Sequence, residues 1–192
     1  FANDNARASA AFADLRELRA FLDEYGTPER LQPGGWAKRV FEVGPDAGLS
    51  IETCAQLMRD YINPSLDTTI SATGHAIELF ANNPDQWQRM REEPELLGNA
   101  VEEVVRLSTP IRALSRRVAH DTDLCGVQLK TDDRVLAIYA SANRDPLKFK
   151  EPDRFDVTRD VHDHVGFGHG VHMCMGMHLA RLDDGQPAAF AD

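Results

Sequence analysis

The sequence is poor in cysteine, short of basic residues and without a long apolar run, and each shortage removes a class of protein. Its three cysteines, Cys54, Cys125 and Cys174, are an odd number without framework spacing. That argues for free thiols in a reducing compartment and against a disulfide-stapled secreted fold. Twenty-one lysines and arginines face 31 acids, a net charge of −10, whereas a nucleic-acid binder carries a basic footprint. No apolar stretch approaches the roughly 20 residues that a membrane helix needs. No signal peptide, internal repeat or low-complexity linker is visible. Neither nucleic acid nor a membrane is therefore an expected partner, and the expected location is cytoplasmic. A length of 192 residues fits one domain with a sizeable core.

What is present begins with helical periodicity. Phe12, Leu15, Leu18 and Leu22 place an amphipathic helix over residues 6–24, broken by Gly26, Pro28, Pro33, Gly34 and Gly35. Trp36 to Val43 reads as a short helix. Ser50 then caps a long helical pattern over about residues 50–82, stopped by Asn82-Asn83-Pro84. Pro64 lies in its middle, where it removes a backbone hydrogen bond and clashes with the carbonyl of Asp60, so a kink with freed carbonyls is expected. Asp67, Thr68 and Thr69 follow one turn later. Pro84 to Met90 is a further short helix, and Pro94 opens another over about 94–108 with Glu103 and Arg106 three apart on one face. Residues 111–140 read as strands turning at Asp132-Asp133, and 146–165 are polar and irregular. Cys54 and Cys125 sit in apolar contexts and read as core residues.

The densest stretch is Phe167-Gly168-His169-Gly170-Val171-His172-Met173-Cys174-Met175-Gly176, with one cysteine, two histidines and three glycines in ten residues. Gly168 and Gly170 permit a tight loop with positive φ. Met177-His178-Leu179-Ala180-Arg181-Leu182 reads as a helix start, so Cys174 lies just ahead of a helix N-terminus that favours a thiolate. Such a cysteine is a metal ligand or a nucleophile.

The spacing F-G-x-G-x-H-x-C-x-G, followed by L-A-R, resembles the haem-binding loop of the cytochrome P450 family, whose cysteine is the axial thiolate ligand of haem iron. The resemblance covers about residues 6–183 and corresponds to the C-terminal half of a soluble, bacterial-type member, mainly α with a small β region. It implies haem b as cofactor, with Cys174 on the iron, Phe167, Gly168 and Gly176 shaping the loop, and His172 donating to a propionate. Arg116, ten residues before Gly126, aligns with the family's propionate-binding arginine, and Arg117 is its rival. The family's A-G-x-D/E-T-T corresponds to Pro64-Ser65-Leu66-Asp67-Thr68-Thr69; the acid and the threonine match, the alanine and glycine do not. Asp67 and Thr68 are thereby implied as a proton relay, and Leu66, Ile111, Arg112 and Leu114 as pocket residues, Arg112 hinting at a carboxylate-bearing substrate. Glu103 and Arg106 coincide with the family's E-x-x-R pair, with Arg154 the expected third member of a buried triad. Asn143-Arg144-Asp145-Pro146 resembles the bacterial members.

The activity so implied is a haem-thiolate monooxygenase that inserts one atom of O2 into a small organic substrate. Electrons would come from NAD(P)H through a ferredoxin-type donor. Two other readings stand beside it. His162, His164, His169, His172, Cys174 and His178 offer zinc ligands within 17 residues, but without the paired cysteines of a structural site. A chain that starts at Phe1 and ends in an atypical tail, 184–192, also reads as an inactive fragment or truncated product.

Overall fold

A computed structural model describes residues 6–183, with side chains over 13–181. The tail at 184–192 lies outside the described residues. Contacts divide the chain into two compact units meeting in sequence at Pro64 and Ser65.

The first unit holds α1 (Ala6–Tyr25), α2 (Trp36–Val43) and the first part of α3 (Ile51–Asn82). Ser50 caps α3 by accepting the Thr53 N–H at 3.2 Å, satisfying one of the orphan donors of a helix start. Phe41, Cys54 and Met58 form the core of this unit, flanked by Leu31, Val40, Leu49 and Ile62. Gly44 is required by close packing: a Cβ there would lie 2.4 Å from Cys54 Sγ and 2.7 Å from the Val40 carbonyl. Leu15, Leu18 and Phe21 on α1 remain exposed.

The second unit begins inside α3, whose helical backbone runs through Pro64 to Asn82 without interruption. At its end the Asn83 side-chain amide donates to the Leu79 carbonyl at 2.8 Å, and Pro84 opens α4 (Pro84–Glu92), where a missing N–H costs nothing. A 3-10 turn at Pro94–Leu96 leads into α5 (Leu97–Ser108). This helix is the centre of the unit; Ala100, Val101 and every residue from Glu103 to Ser108 are buried. Ala100, Val104 and Leu107 pack with Phe155 and Val157, and Phe80 meets Phe155 edge-on at 5.1 Å, a favoured aromatic geometry.

The β region is two antiparallel pairs. Strand β1 (Leu114–Arg117) pairs with β4 (Arg134–Ala137), Leu114 opposite Ala137, and β2 (Thr122–Leu124) pairs with β3 (Val127–Leu129). Asp133 N–H to the Lys130 carbonyl, 3.0 Å, closes the turn at Asp132. The β2–β3 turn is Cys125-Gly126, both at positive φ, 53° and 83°, as a two-residue hairpin of matching twist demands. Cys125 is therefore exposed at a turn and is not the core residue its apolar neighbours indicated. Helix α6 (Tyr139–Ala142) follows β4. An irregular segment then runs to α7 (Met177–Asp183), and its inward side chains Phe149, Phe155, Val157 and Val161 are all buried. Among the described residues no helix is long and apolar enough to cross a membrane.

Candidate functional site

The site is built on a buried ionic knot. Glu103 and Arg106 share one face of α5 and neither side chain is exposed. Arg106 Nε donates to Glu103 Oε2 at 2.7 Å and Nη2 to Oε1 at 2.9 Å, the fork geometry that arginine alone provides. Arg106 Nη1 also donates to the carbonyls of Asn143 and Pro152, 2.7 and 2.8 Å, and the guanidinium lies 5.0 Å from the Phe149 ring centre.

The third member of the knot is Arg159 and not Arg154. Arg159 Nε donates to Glu103 Oε1 at 3.0 Å, with its side chain 10% exposed. Arg154 is exposed and reaches only Glu151, at 3.5 Å. Arg159 also donates to the carbonyls of Glu151 and Arg154, 3.0 and 2.9 Å. The physical reason is an inward alternation. Phe155, Val157 and Val161 are buried, and Arg159 falls in the same period of two while Arg154 does not.

Asn143, fully buried, carries the knot to the cysteine loop. Its amide donates to Thr109 Oγ1 at 3.0 Å, and its Oδ1 accepts the Val165 N–H at 2.8 Å. Two residues on, the loop begins. Gly168 and Gly170 both have φ of 74°, a conformation that a side chain would strain. Gly170–His172 form a 3-10 turn, and the Cys174 N–H donates back to the Phe167 carbonyl at 2.9 Å. Cys174 is exposed, three positions ahead of the first residue of α7. Val171, Met173 and Met175 beside it are exposed at 97, 38 and 77%.

A second charged cluster, not foreseen as a unit, grips the start of the loop. His164 Nε2 lies 2.7 Å from Glu102 Oε2, and Arg181 of α7 donates to both Glu102 oxygens. Burial alone would raise the Glu102 carboxyl. The hydrogen bonds from His164 and Arg181, with the Arg181 charge, outweigh it and hold the pKa at about 2. The Gly166 N–H donates to His164 Nδ1 at 3.0 Å, so the ring proton sits on Nε2, facing Glu102. In the sequence His164 stood only as a zinc ligand and Arg181 only as part of L-A-R. The acid directly before the E-x-x-R glutamate was the available signal. Among the described residues no group of three or more His, Cys, Asp or Glu could hold a metal ion, which leaves the zinc reading without a site.

The remaining predicted residues are dispersed. Arg116 and Arg117 point to opposite sides of β1. Arg117 is paired with Asp132 at 2.9 Å, whereas Arg116 donates to Tyr139 Oη at 3.2 Å and to the Ser115 carbonyl. His172 is exposed in its turn, Asp67 is exposed on α3 and Thr68 is half-buried. Leu66, Ile111 and Leu114 are exposed at 54, 38 and 44%, and Arg112 is exposed too.

The cytochrome P450 family profile matches residues 37–183. The chain belongs to the cytochrome P450 family. Cytochrome P450 CYP199A2 of Rhodopseudomonas palustris is 36% identical over 183 residues, covering 95% of this chain and 44% of that protein. Linalool 8-monooxygenase of Pseudomonas putida is 38% identical over 175 residues, 88% of this chain and 42% of that one. Among solved structures, P450BioI in complex with an acyl carrier protein ligated to hexadec-9Z-enoic acid superposes with a TM-score of 0.78 at 28% identity, over 94% of this chain and 48% of that one. The chain thus spans less than half the length of these relatives. Its α+β architecture is that of P450 structures, and the cofactor that membership implies is thiolate-ligated haem b. The residues present fit it: a single soft ligand, Cys174, stands exposed on a glycine-shaped loop among uncovered apolar side chains, as a flat apolar macrocycle requires.

Proposed function

We propose that this chain supplies the thiolate side of a haem monooxygenase acting on a small organic substrate. The observation that carries it is Cys174, exposed ahead of α7 on a loop closed by its own N–H to the Phe167 carbonyl. Bound haem supplies the activation of O2 that amino-acid side chains lack. Every other requirement falls to the chain itself. Cys174 Sγ serves as the thiolate ligand, presented three positions ahead of α7. Phe167, Gly168 and Gly176 hold the loop close enough for that sulfur to be presented. Arg116 is the propionate partner, because Arg117 is already neutralised by Asp132, and His172 is placed to donate to the other acid group.

On the substrate side, Asp67 and Thr68 hold and move protons one turn beyond Pro64; a fixed acid and hydroxyl are what proton delivery in a dry site needs. Leu66, Ile111 and Leu114 are the apolar lining, with Arg112 available to a carboxylate. A ferredoxin-type donor fed by NAD(P)H and a cytoplasmic location complete the proposal, supported by the bacterial relatives. Residues 1–192 alone are proposed to be inactive: Leu66, Ile70 and Ile77 of α3 stand 54, 70 and 68% exposed, an apolar surface that a working pocket would cover. The experiment is turnover under isotopically labelled O2 with a ferredoxin system, comparing residues 1–192 plus haem with the complete gene product. One labelled oxygen in the product of the complete protein is expected; unlabelled product refutes the monooxygenase reading.

A further inference from the structure

Glu102 and Glu103 are adjacent on α5, about 100° apart around the helix, and they serve different structures. Glu103 faces the buried knot. Glu102 faces outward, with its side chain 16% exposed, and its side-chain partners are His164, ahead of the cysteine loop, and Arg181 on α7. Those two enclose Phe167. The Arg181 guanidinium carbon lies 5.0 Å from the Phe167 ring centre, within cation–π range, and the His164 ring centre lies 5.9 Å away. His164 cannot turn freely, because its Nδ1 accepts the Gly166 N–H. Gly166 packs closely against α5 and has no room for a side chain: a Cβ there would stand 2.7 Å from Val105 Cγ1. The ring so held belongs to the residue whose carbonyl accepts the Cys174 N–H at 2.9 Å.

We propose that Glu102 is the positioning residue for Cys174: through His164 and Arg181 it fixes Phe167, and through the Phe167 carbonyl it fixes the backbone that presents the sulfur. Its functional meaning rests on the haem-thiolate reading above; its structural content does not. The negative charge matters as well as the shape. The carboxylate accepts three donor contacts, one from His164 Nε2 and two from Arg181. A glutamine in its place keeps one acceptor oxygen and turns an N–H group toward one of the same donors.

The test is amide hydrogen exchange in the 192-residue chain, wild type against E102Q. Exchange at Gly166, Gly168 and Cys174 should quicken by about tenfold or more, while Val104 and Leu107 in α5 change less than about twofold. Arg181→Lys, which keeps the charge and loses the fork, should give an intermediate loop effect. Unchanged loop exchange, or equal acceleration in α5 and the loop, overturns the proposal. If E102Q does not fold, R181Q is read in the same way, since it leaves the Glu102–His164 bond in place. A parallel reduced carbonyl spectrum of the complete gene product, wild type and E102Q, separates the two readings. Wild type without the thiolate-type red-shifted band counts against Cys174 ligation, and loop exchange alone then judges Glu102. Wild type with the band, and E102Q with wild-type loop exchange, refutes only the positioning role.

Discussion

Replacing Arg106 by alanine is expected to unfold the second unit. Four hydrogen bonds disappear at once: two to Glu103 and one each to the Asn143 and Pro152 carbonyls. Breaking a buried pair costs on the order of 3–5 kcal/mol, because the survivor is an uncompensated charge. Each buried carbonyl left without a donor adds about 1–3 kcal/mol. Arg159 still meets Glu103 at 3.0 Å, which offsets part of the first cost. Before that offset the loss is about 5–11 kcal/mol, against a typical domain stability of about 5–15 kcal/mol. Urea unfolding followed by circular dichroism is the assay, with Glu103→Gln and the double variant Glu103→Gln/Arg106→Met beside it. The double variant should lose less than the sum of its singles, since it strands no buried carboxylate. A loss below about 1 kcal/mol for Arg106→Ala, with the midpoint slope unchanged, would refute the reasoning and reduce the pair to a surface bridge.

Three further outcomes are expected. Arg159→Ala should cost about 2–3 kcal/mol in the same assay, because it removes a charge-assisted hydrogen bond to Glu103 Oε1, which keeps only the Arg106 Nη2 and Asp156 N–H donors, and Arg154→Ala less than about 0.5 kcal/mol as an exposed pair; the reverse order would restore Arg154 to the knot. Glu102 falls from an ordinary 4.5 to about 2 on folding, so its contribution is complete above pH 4.5 and is lost as pH falls toward 2. After screening at its exposed edge this amounts to about 1–2 kcal/mol, and Glu102→Gln should flatten that part of the acid-unfolding curve; identical curves count against the cluster. Thr68→Ala in the complete gene product should leave haem content nearly unchanged while more reducing equivalents appear as hydrogen peroxide, and unchanged coupling argues against the relay.

Much of the local structure was legible because its signals are local. Ser50 and Pro84 bracket α3 through capping and a missing N–H, and Trp36 to Val43 carries its own periodicity. Asp132 marks its turn because it tolerates positive φ. The long-range features were less visible. Arg154 was expected from the family resemblance alone, which does not distinguish it from Arg159 in the same irregular segment. Only the alternation Phe155, Val157, Arg159, Val161 decides which arginine points inward, and that pattern was obscured by the polar residues between. Cys125 looked like core from its neighbours, yet a two-residue hairpin turn must face solvent. Asn143 and Glu102 act through partners 22 and 62 residues away, a distance at which no spacing rule operates. The cysteine loop, by contrast, is contiguous, so its chemistry could be read directly.

Cys174 is the proposed thiolate ligand of haem iron. The most direct measurement is the absorption spectrum of the reduced carbon-monoxide complex of the complete gene product, with Cys174 intact and with Cys174→His. The red-shifted, thiolate-type band is expected in the first and its loss in the second. Retention of that band after Cys174→His would contradict the assignment.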